Sequence, residues 1–274
     1  MQGKIIKNIS NLYSVLVNNK IYNCKPRGKF RNLNITPLVG DEVIIDEENN
    51  YILDILPRKN ELNRPFIANV DIALILTSIK DPDLSLLLLD KQITFLILHS
   101  IKPVIVFSKL DLANDELLNK VDELSRYYES IGIDVFYNND LDSLKKYLKG
   151  KEVVITGQTG AGKSTLINKL GDLNIKTDEI SYALGRGKHT TRHVEIYNIE
   201  DINIADTPGF SALDISGYSK EEIRDAFPEF RDNTCKFKDC MHNKEKECSV
   251  KKLVESNKIL KTRYDNYIRI ISEV

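Results

Sequence analysis

The sequence predicts an α/β protein in three parts. The first is a small N-terminal β-barrel of the OB type. The second is a doubly wound, mostly parallel sheet with helices on both faces, and the third is a short, mainly helical C-terminal region. Three observations carry this reading. Five short runs rich in Ile, Val and Tyr fill the first sixty or so residues, divided by Asn, Gly and Pro. From about residue 63, continuous apolar runs alternate with segments of helical period. Three of the four cysteines, Cys235, Cys240 and Cys248, crowd together with His242 near the C-terminus. These changes place the boundaries at 1–62, 63–216 and 217–274.

Composition bounds the problem. At 274 residues, 42% hydrophobic and 29% charged, the chain is an ordinary globular one with room for two or three domains. A membrane span needs about 18 consecutive apolar residues, and the best runs, 72–77 and 84–89, fall far short. The first ten residues carry lysines but no apolar core of a secretory signal. A cytoplasmic monomer with no membrane partner is therefore expected, and in that compartment clustered cysteines bind metal more often than they pair. Cys24 has no partner nearby in sequence and reads as an inert thiol.

The barrel strands are predicted at 4–9, 13–17, 20–24, 42–46 and 51–56, and closure would remove their exposed edges. Residues 1–40 contain no Asp or Glu but carry Lys4, Lys7, Lys20, Lys25, Arg27, Lys29 and Arg31, a local charge of +7 in a chain whose net charge is −1. The near-zero total thus conceals a basic segment suited to a phosphate backbone.

In the middle part, 72–77 and 104–107 read as central parallel strands. Leu86, Leu89, Ile93 and Leu96 between them have helical spacing. Asn114 or Asp115 caps the next helix, with Leu118, Val121, Leu124 and Ile131 on its apolar face. Further strands are predicted at 135–137, 151–156, 193–198 and 202–205, with a helix over 164–170. In the last part, Leu253, Ile259, Leu260, Tyr264, Tyr267, Ile268 and Ile271 predict one helix packed on its domain.

Gly157, Gln158, Thr159, Gly160, Ala161, Gly162, Lys163 and Ser164, followed by Thr165, fit the P-loop pattern, with a strand running in and a helix running out. Glycines let backbone N–H groups turn inward around phosphate oxygens at a helix N-terminus. Lys163 is placed to neutralise the β- and γ-phosphates and Ser164 to ligate Mg²⁺. Asp206-Thr-Pro-Gly209 follows a strand, so Asp206 would hold Mg²⁺ and the Gly209 N–H would sense the γ-phosphate. Ser108-Lys109-Leu110-Asp111, also after a strand, resembles the Asn-Lys-x-Asp motif that reads guanine. A carboxylate at Asp111 accepts from guanine N1–H and N2–H₂, donors that adenine lacks, and this favours GTP over ATP. Ser108 replaces the usual Asn, and its shorter side chain predicts weaker contacts to the base and to the P-loop. No guanine-backing motif stands out near Asn138.

These motifs occur in permuted order: the base motif precedes the P-loop, and Asp206–Gly209 comes last. Together with the barrel-like start, Gly185-Arg-Gly-Lys-His-Thr-Thr191, Phe210 after Gly209 and the Cys/His cluster, this resembles the ribosome small-subunit-dependent GTPases over nearly the whole chain. The resemblance implies a circularly permuted GTPase domain and a cytoplasmic enzyme. Such an enzyme acts in late maturation of the small (30S) ribosomal subunit, with hydrolysis stimulated by that subunit and its rRNA contacted through the basic barrel and the zinc domain. Thr190 or Thr191 would ligate Mg²⁺ in switch I. Phe210 cannot hydrogen-bond water, so slow intrinsic hydrolysis is expected and His189 is the candidate for placing the attacking water; contact of the same basic loop with RNA is the other reading of His189. Cys235, Cys240, His242 and Cys248 offer a full tetrahedral set for one structural Zn²⁺, leaving no open position for catalysis. Two rivals remain: an RNA-binding protein whose nucleotide site is structural, and an ATP-dependent P-loop enzyme.

Overall fold

The computed structural model describes residues 1–171, 194–206, 213–231 and 235–274, the side chain of Asp206 excepted. The strands are β1 (Gln2–Ile9), β2 (Leu12–Val17), β3 (Lys20–Pro26), β4 (Glu42–Asp46), β5 (Tyr51–Ile55), β6 (Glu61–Asn63), β7 (Phe66–Ala68), β8 (Ile72–Ser78), β9 (Lys102–Ser108), β10 (Asp134–Tyr137), β11 (Glu152–Gly157), β12 (Glu195–Ile199) and β13 (Ile202–Asp206). The helices used below are α1 (Lys29–Asn32), α2 (Leu86–Leu98), α3 (Asp115–Ser130), α4 (Leu141–Leu148) and α5 (Lys163–Leu170). The chain divides into two compact units. One comprises Met1–Leu74, Asn139–Gly157 and Gly162–Ala212, and the other Ile75–Asn138, Gln158–Ala161 and Leu213–Val274.

In the first unit β1 to β5 follow the order β1-β2-β3-β5-β4, and pairing of β4 with β1 (Gly3↔Val43) closes them into a barrel. The tight turns follow from asparagine: Ser10-Asn11 and Asn18-Asn19 all have positive φ, the conformation that two-residue hairpin loops require. Alternate side chains point inward, and Ile5, Val15, Cys24, Val43 and Ile52 are fully buried. Gly3 is dictated by packing, since a Cβ there would lie 2.5 Å from a Val17 methyl and 2.7 Å from the Leu16 carbonyl. The hairpin β6–β7 was not legible in the sequence, because three-residue strands are too short to show a period.

The same unit holds β11 and β13 in parallel, with β12 antiparallel to β13 and joined to β1 at Lys7↔Glu195. Glu152, at the start of β11, accepts from Lys4 Nζ at 2.5 Å and Asn203 Nδ2 at 2.8 Å. The barrel is thereby tied to the strand that leads into the P-loop.

In the second unit β8, β9 and β10 are neighbours in that order, and β9 and β10 are parallel. Every residue of β8 is buried, as are all but the first of β9. Asn114, not Asp115, caps α3, accepting from the Leu117 N–H at 3.0 Å. The C-terminal stripe forms two helices, Ser249–Glu255 and Lys261–Ser272, where one was expected. Asn257 takes positive φ between them, and the N–H groups of Lys258 and Asn257 close on the carbonyls of Leu253 and Val254. This is a Schellman stop, which hydrophobic period alone does not reveal.

Candidate functional site

The P-loop leaves β11 at Gly157. Gly157, Gly160 and Gly162 all take positive φ (139°, 82° and 96°), which turns the backbone so that its N–H groups can face one centre. Gly162 caps α5, and Lys163, its first residue, donates from Nζ to the Gly157 carbonyl at 2.7 Å. Ser164 follows, half-buried, while Thr159 and Thr165 are exposed. Because β13 runs parallel to β11, Gly157 and Asp206 leave the sheet at the same end. His189, Thr190, Thr191, Gly209 and Phe210 lie outside the described residues.

The base-reading stretch sits at the end of β9. Ser108 is 2% exposed, and its Oγ donates to the carbonyl of Ala161 in the P-loop at 2.8 Å. The tie to the P-loop expected to weaken with serine is therefore present and short. Lys109 adopts the left-handed conformation, φ 62°, and donates to the Asp81 carbonyl. This turn presents Asp111, in a short 3₁₀ helix, to solvent. Asp111 lines a cleft of about 530 Å³ with Ile79, Lys80, Asp83, Asn114 and Lys120, and its carboxylate pairs with no other described side chain. The segment around Asp81 was missed in the sequence; an irregular loop carries no periodic signal. Close to Asn138 in sequence, Asp140 caps α4, accepting from the Ser143 N–H.

The four metal-ligating candidates converge. One ligand atom from each of Cys235, Cys240, His242 and Cys248 lies within 4.8 Å of the others. His242 Nδ1 is 3.5, 3.4 and 3.3 Å from the sulfurs of Cys235, Cys240 and Cys248, and Cys235 and Cys248 are 3.9 Å apart. A zinc tetrahedron with bonds of about 2.3 Å to sulfur and about 2.0–2.1 Å to nitrogen has edges of roughly 3.8 and 3.6 Å. The donor set and its dimensions fit such an ion. Burial and the neighbouring Arg224 hold the His242 imidazole below its ordinary value, so it is neutral and able to ligate. Burial pushes Cys240 up to about 12, while hydrogen bonds from Ser249 outweigh burial at Cys235 and hold that thiol low. Cys24 lies buried in the barrel, where desolvation raises its thiol.

The basic segment is only partly available. Lys4 pairs with Glu42 and Glu152, Lys7 with Glu195, Lys20 with Glu47 and Lys29 with Asp54. Among the described residues Lys25, Arg27 and Arg31 form no ion pair. Arg27 and Arg31 line a surface cleft of about 440 Å³ with Asn11, Phe30 and Thr36.

Among the described residues, no helix is long and apolar enough to cross a membrane. The family model described as RsgA GTPase matches residues 55–216, and that described as RsgA N-terminal domain matches 2–52. The protein named small ribosomal subunit biogenesis GTPase RsgA 1 from Listeria monocytogenes is 47% identical over 283 aligned residues, covering 100% of this chain and 97% of its own. The Enterococcus faecalis protein named small ribosomal subunit biogenesis GTPase RsgA is 43% identical, with 100% and 95% covered. Among solved structures, YloQ, described as a circularly permuted GTPase, superposes with a TM-score of 0.84 at 35% identity, covering 99% of this chain and 94% of its own. YjeQ from Thermotoga maritima gives 0.86 at 33% identity, with 99% and 97% covered. Aligned end to end with such proteins, and matched over most of its length by the family's own model, the chain belongs to the RsgA family of GTPases.

Proposed function

We propose that this chain is a GTP-hydrolysing switch of the cytoplasm that acts as a monomer in late maturation of the small (30S) ribosomal subunit. Its functional modules are the barrel (1–62), the permuted GTPase domain (63–216) and the metal-binding region (217–274). The observation that carries the reading is the base motif at the end of β9, hydrogen-bonded through Ser108 to the P-loop while Asp111 stays free to meet a guanine edge.

In this reading the P-loop backbone, from Gly157 through Gln158, Thr159, Gly160, Ala161 and Gly162, holds the phosphates, with Thr165 beside it. Lys163 turns from the Gly157 carbonyl to neutralise their charge. Ser164 and Asp206 offer hard oxygen ligands of the type Mg²⁺ takes. When bound, Mg²⁺ would offset charge on the β- and γ-phosphates. Thr190 or Thr191 completes that set, Gly209 senses the γ-phosphate and His189 places the attacking water. Lys109 and Ser108 hold the base motif in its turn, and Asp111 accepts the two guanine donors. Cys235, Cys240, His242 and Cys248 hold one structural Zn²⁺, which would crosslink three segments of the C-terminal region. Lys25, Arg27 and Arg31, which form no ion pair among the described residues of the basic N-terminal segment, face rRNA.

The decisive measurement is GTP turnover with and without purified small subunits. Slow basal turnover, strong stimulation by the subunits and loss of both in Lys163→Ala are expected. Unstimulated turnover, or ATP competing with GDP as well as GTP does, would remove this reading in favour of a structural nucleotide site or an ATP-dependent enzyme.

A further inference from the structure

We propose that the first unit carries a seat for one unpaired nucleotide of a single-stranded RNA, its base stacked on Phe66 and the phosphates beside it held by Arg27 and Arg31. The inference rests on the rRNA reading above and adds to it which part of the strand is read, and by which side chains.

A nucleotide joins a flat, neutral, hydrogen-bonding ring to an anionic phosphate. Two adjoining clefts match those two characters, and Asn11, Ile35 and Thr36 line both. The smaller, of about 440 Å³, carries Arg27 and Arg31 and no acid. The larger, of about 740 Å³, has only Arg58 and Glu61 as charged residues, and these pair with each other. The hairpin β6–β7 puts Phe66 in the larger cleft. Leu62 and Ile67 face each other across it and are buried, 1% and 2% exposed. The next pair, Asn63 and Phe66, leaves the opposite face together, and Phe66 is 62% exposed. The hairpin is held in place: the Ala68 N–H donates to the Val39 carbonyl at 2.8 Å, and Asn69 Nδ2 to the Gly40 carbonyl at 2.9 Å. The segment carrying Thr36 is fixed as well. Arg58 donates to the Thr36 carbonyl and to Asp41, each at 2.7 Å, and buried Asp41 accepts from the Leu38 N–H at 2.7 Å. Arg58 is thereby spent on the protein, whereas Arg27 and Arg31 remain for a ligand. A large ring held in the open on a fixed hairpin is a stacking face, usable by any base. The exposed amides of Asn34 and Asn63 have no hydrogen-bond partner among the described residues, and each offers donors and an acceptor to a base edge. In a duplex, pairing and stacking cover those edges and faces, so the seat selects an unpaired nucleotide.

The test titrates a labelled short oligoadenylate with the full chain, followed by fluorescence anisotropy. The single strand is expected to bind, and a fully paired duplex of the same length to bind about fivefold more weakly or worse, the loss of one stacked base. Phe66→Ala should weaken the single strand roughly five- to 150-fold, the range of one base–aromatic stack, and leave its salt dependence unchanged. Phe66→Trp, which keeps a stacking face, should bind as the wild type does. Arg27→Gln combined with Arg31→Gln should weaken binding and lower the slope of log affinity against log salt by about 1.4, two phosphates at about 0.7 each. Absence of binding, undiminished binding by Phe66→Ala, or equal affinity for the duplex or for a polyglutamate peptide of the same charge would overturn the proposal. Any of these with turnover still stimulated by small subunits removes the seat alone. Loss of that stimulation in the wild-type chain would instead bring down the rRNA reading, and is distinguishable on that ground.

Discussion

Two polar clusters in the second unit meet across one aromatic wall and are neutralised differently. In the first, three sulfurs and the His242 imidazole face a common centre. In the second, the guanidinium of Arg263, 1% exposed, donates to Asp90 at 2.6 Å and to Glu229 at 2.8 Å, while Tyr128 and Asn266 also donate to Asp90 at 2.7 and 2.6 Å. Phe227 stacks on Phe230, which meets His242 edge-on, and Arg263 lies over Phe227 at 4.3 Å. With thiolates counted as charged, a divalent ion would leave the first cluster at a formal −1. Two carboxylates on one guanidinium leave the second at −1 as well, and burial accordingly raises Asp90 above its ordinary value. On the proposed zinc reading, one cluster would take its cation from solution, whereas the other takes it from its own chain. The first would then be conditional on metal; the second forms whenever the chain folds.

The largest effect should come from removing the metal. Structural zinc contributes on the order of 10 kcal/mol in isolated zinc-finger peptides at neutral pH. A strong chelator is expected to lower the melting temperature and to expose three thiols to a thiol reagent, while Cys24 stays silent in the barrel. An unchanged melting curve and thiol count would erase the distinction between the clusters.

Arg263→Met tests the other side. It leaves two carboxylates buried without their cation, a change that typically costs about 3–5 kcal/mol, or roughly 10 °C in melting temperature for a chain of this size. Metal content, measured by elemental analysis, should stay at the wild-type level. A neutral Arg263→Met would mean the network is a passive filling, and a parallel loss of metal would mean the clusters are one structure.

How much of this was legible in the sequence depended on the range of the interactions. Barrel strands announce themselves by two-residue period and asparagine turns, and the observed strands differ from the predicted runs by at most two residues at an end. The P-loop and the Cys/His set are local spacings, so their residues could be named before their geometry was seen. Arg263, by contrast, lies 173 residues from Asp90, and nothing in a helix stripe distinguishes a cation aimed into the core from one facing water. The +7 segment is partly neutralised for the same reason: Glu152 and Glu195, which pair with Lys4 and Lys7, are remote in sequence. Ser108 was read as a loss because a shorter side chain suggests a lost contact. The approach of Ala161 to within 2.8 Å is a property of the loop packing and not of the motif.

The smallest effect sharpens the comparison most. Tyr267 stands one turn after Arg263 on the same helix, fully buried, and its hydroxyl donates to the Met241 carbonyl at 2.6 Å, next to ligand His242. Its ring meets Phe227 edge-on at 5.0 Å, and Phe227 also lies under Arg263. Burial pushes the phenol well above its ordinary value, so it stays a neutral donor. Tyr267→Phe removes only that hydrogen bond and should cost about 1 kcal/mol, with faster metal loss to a chelator. Arg263→Met should leave the chelation rate alone. Because the two side chains share Phe227, the double variant should depart from additivity by about 0.5 kcal/mol or more. Additivity would show that the aromatic wall transmits nothing and that the clusters are independent in energy as well as in the source of their cation.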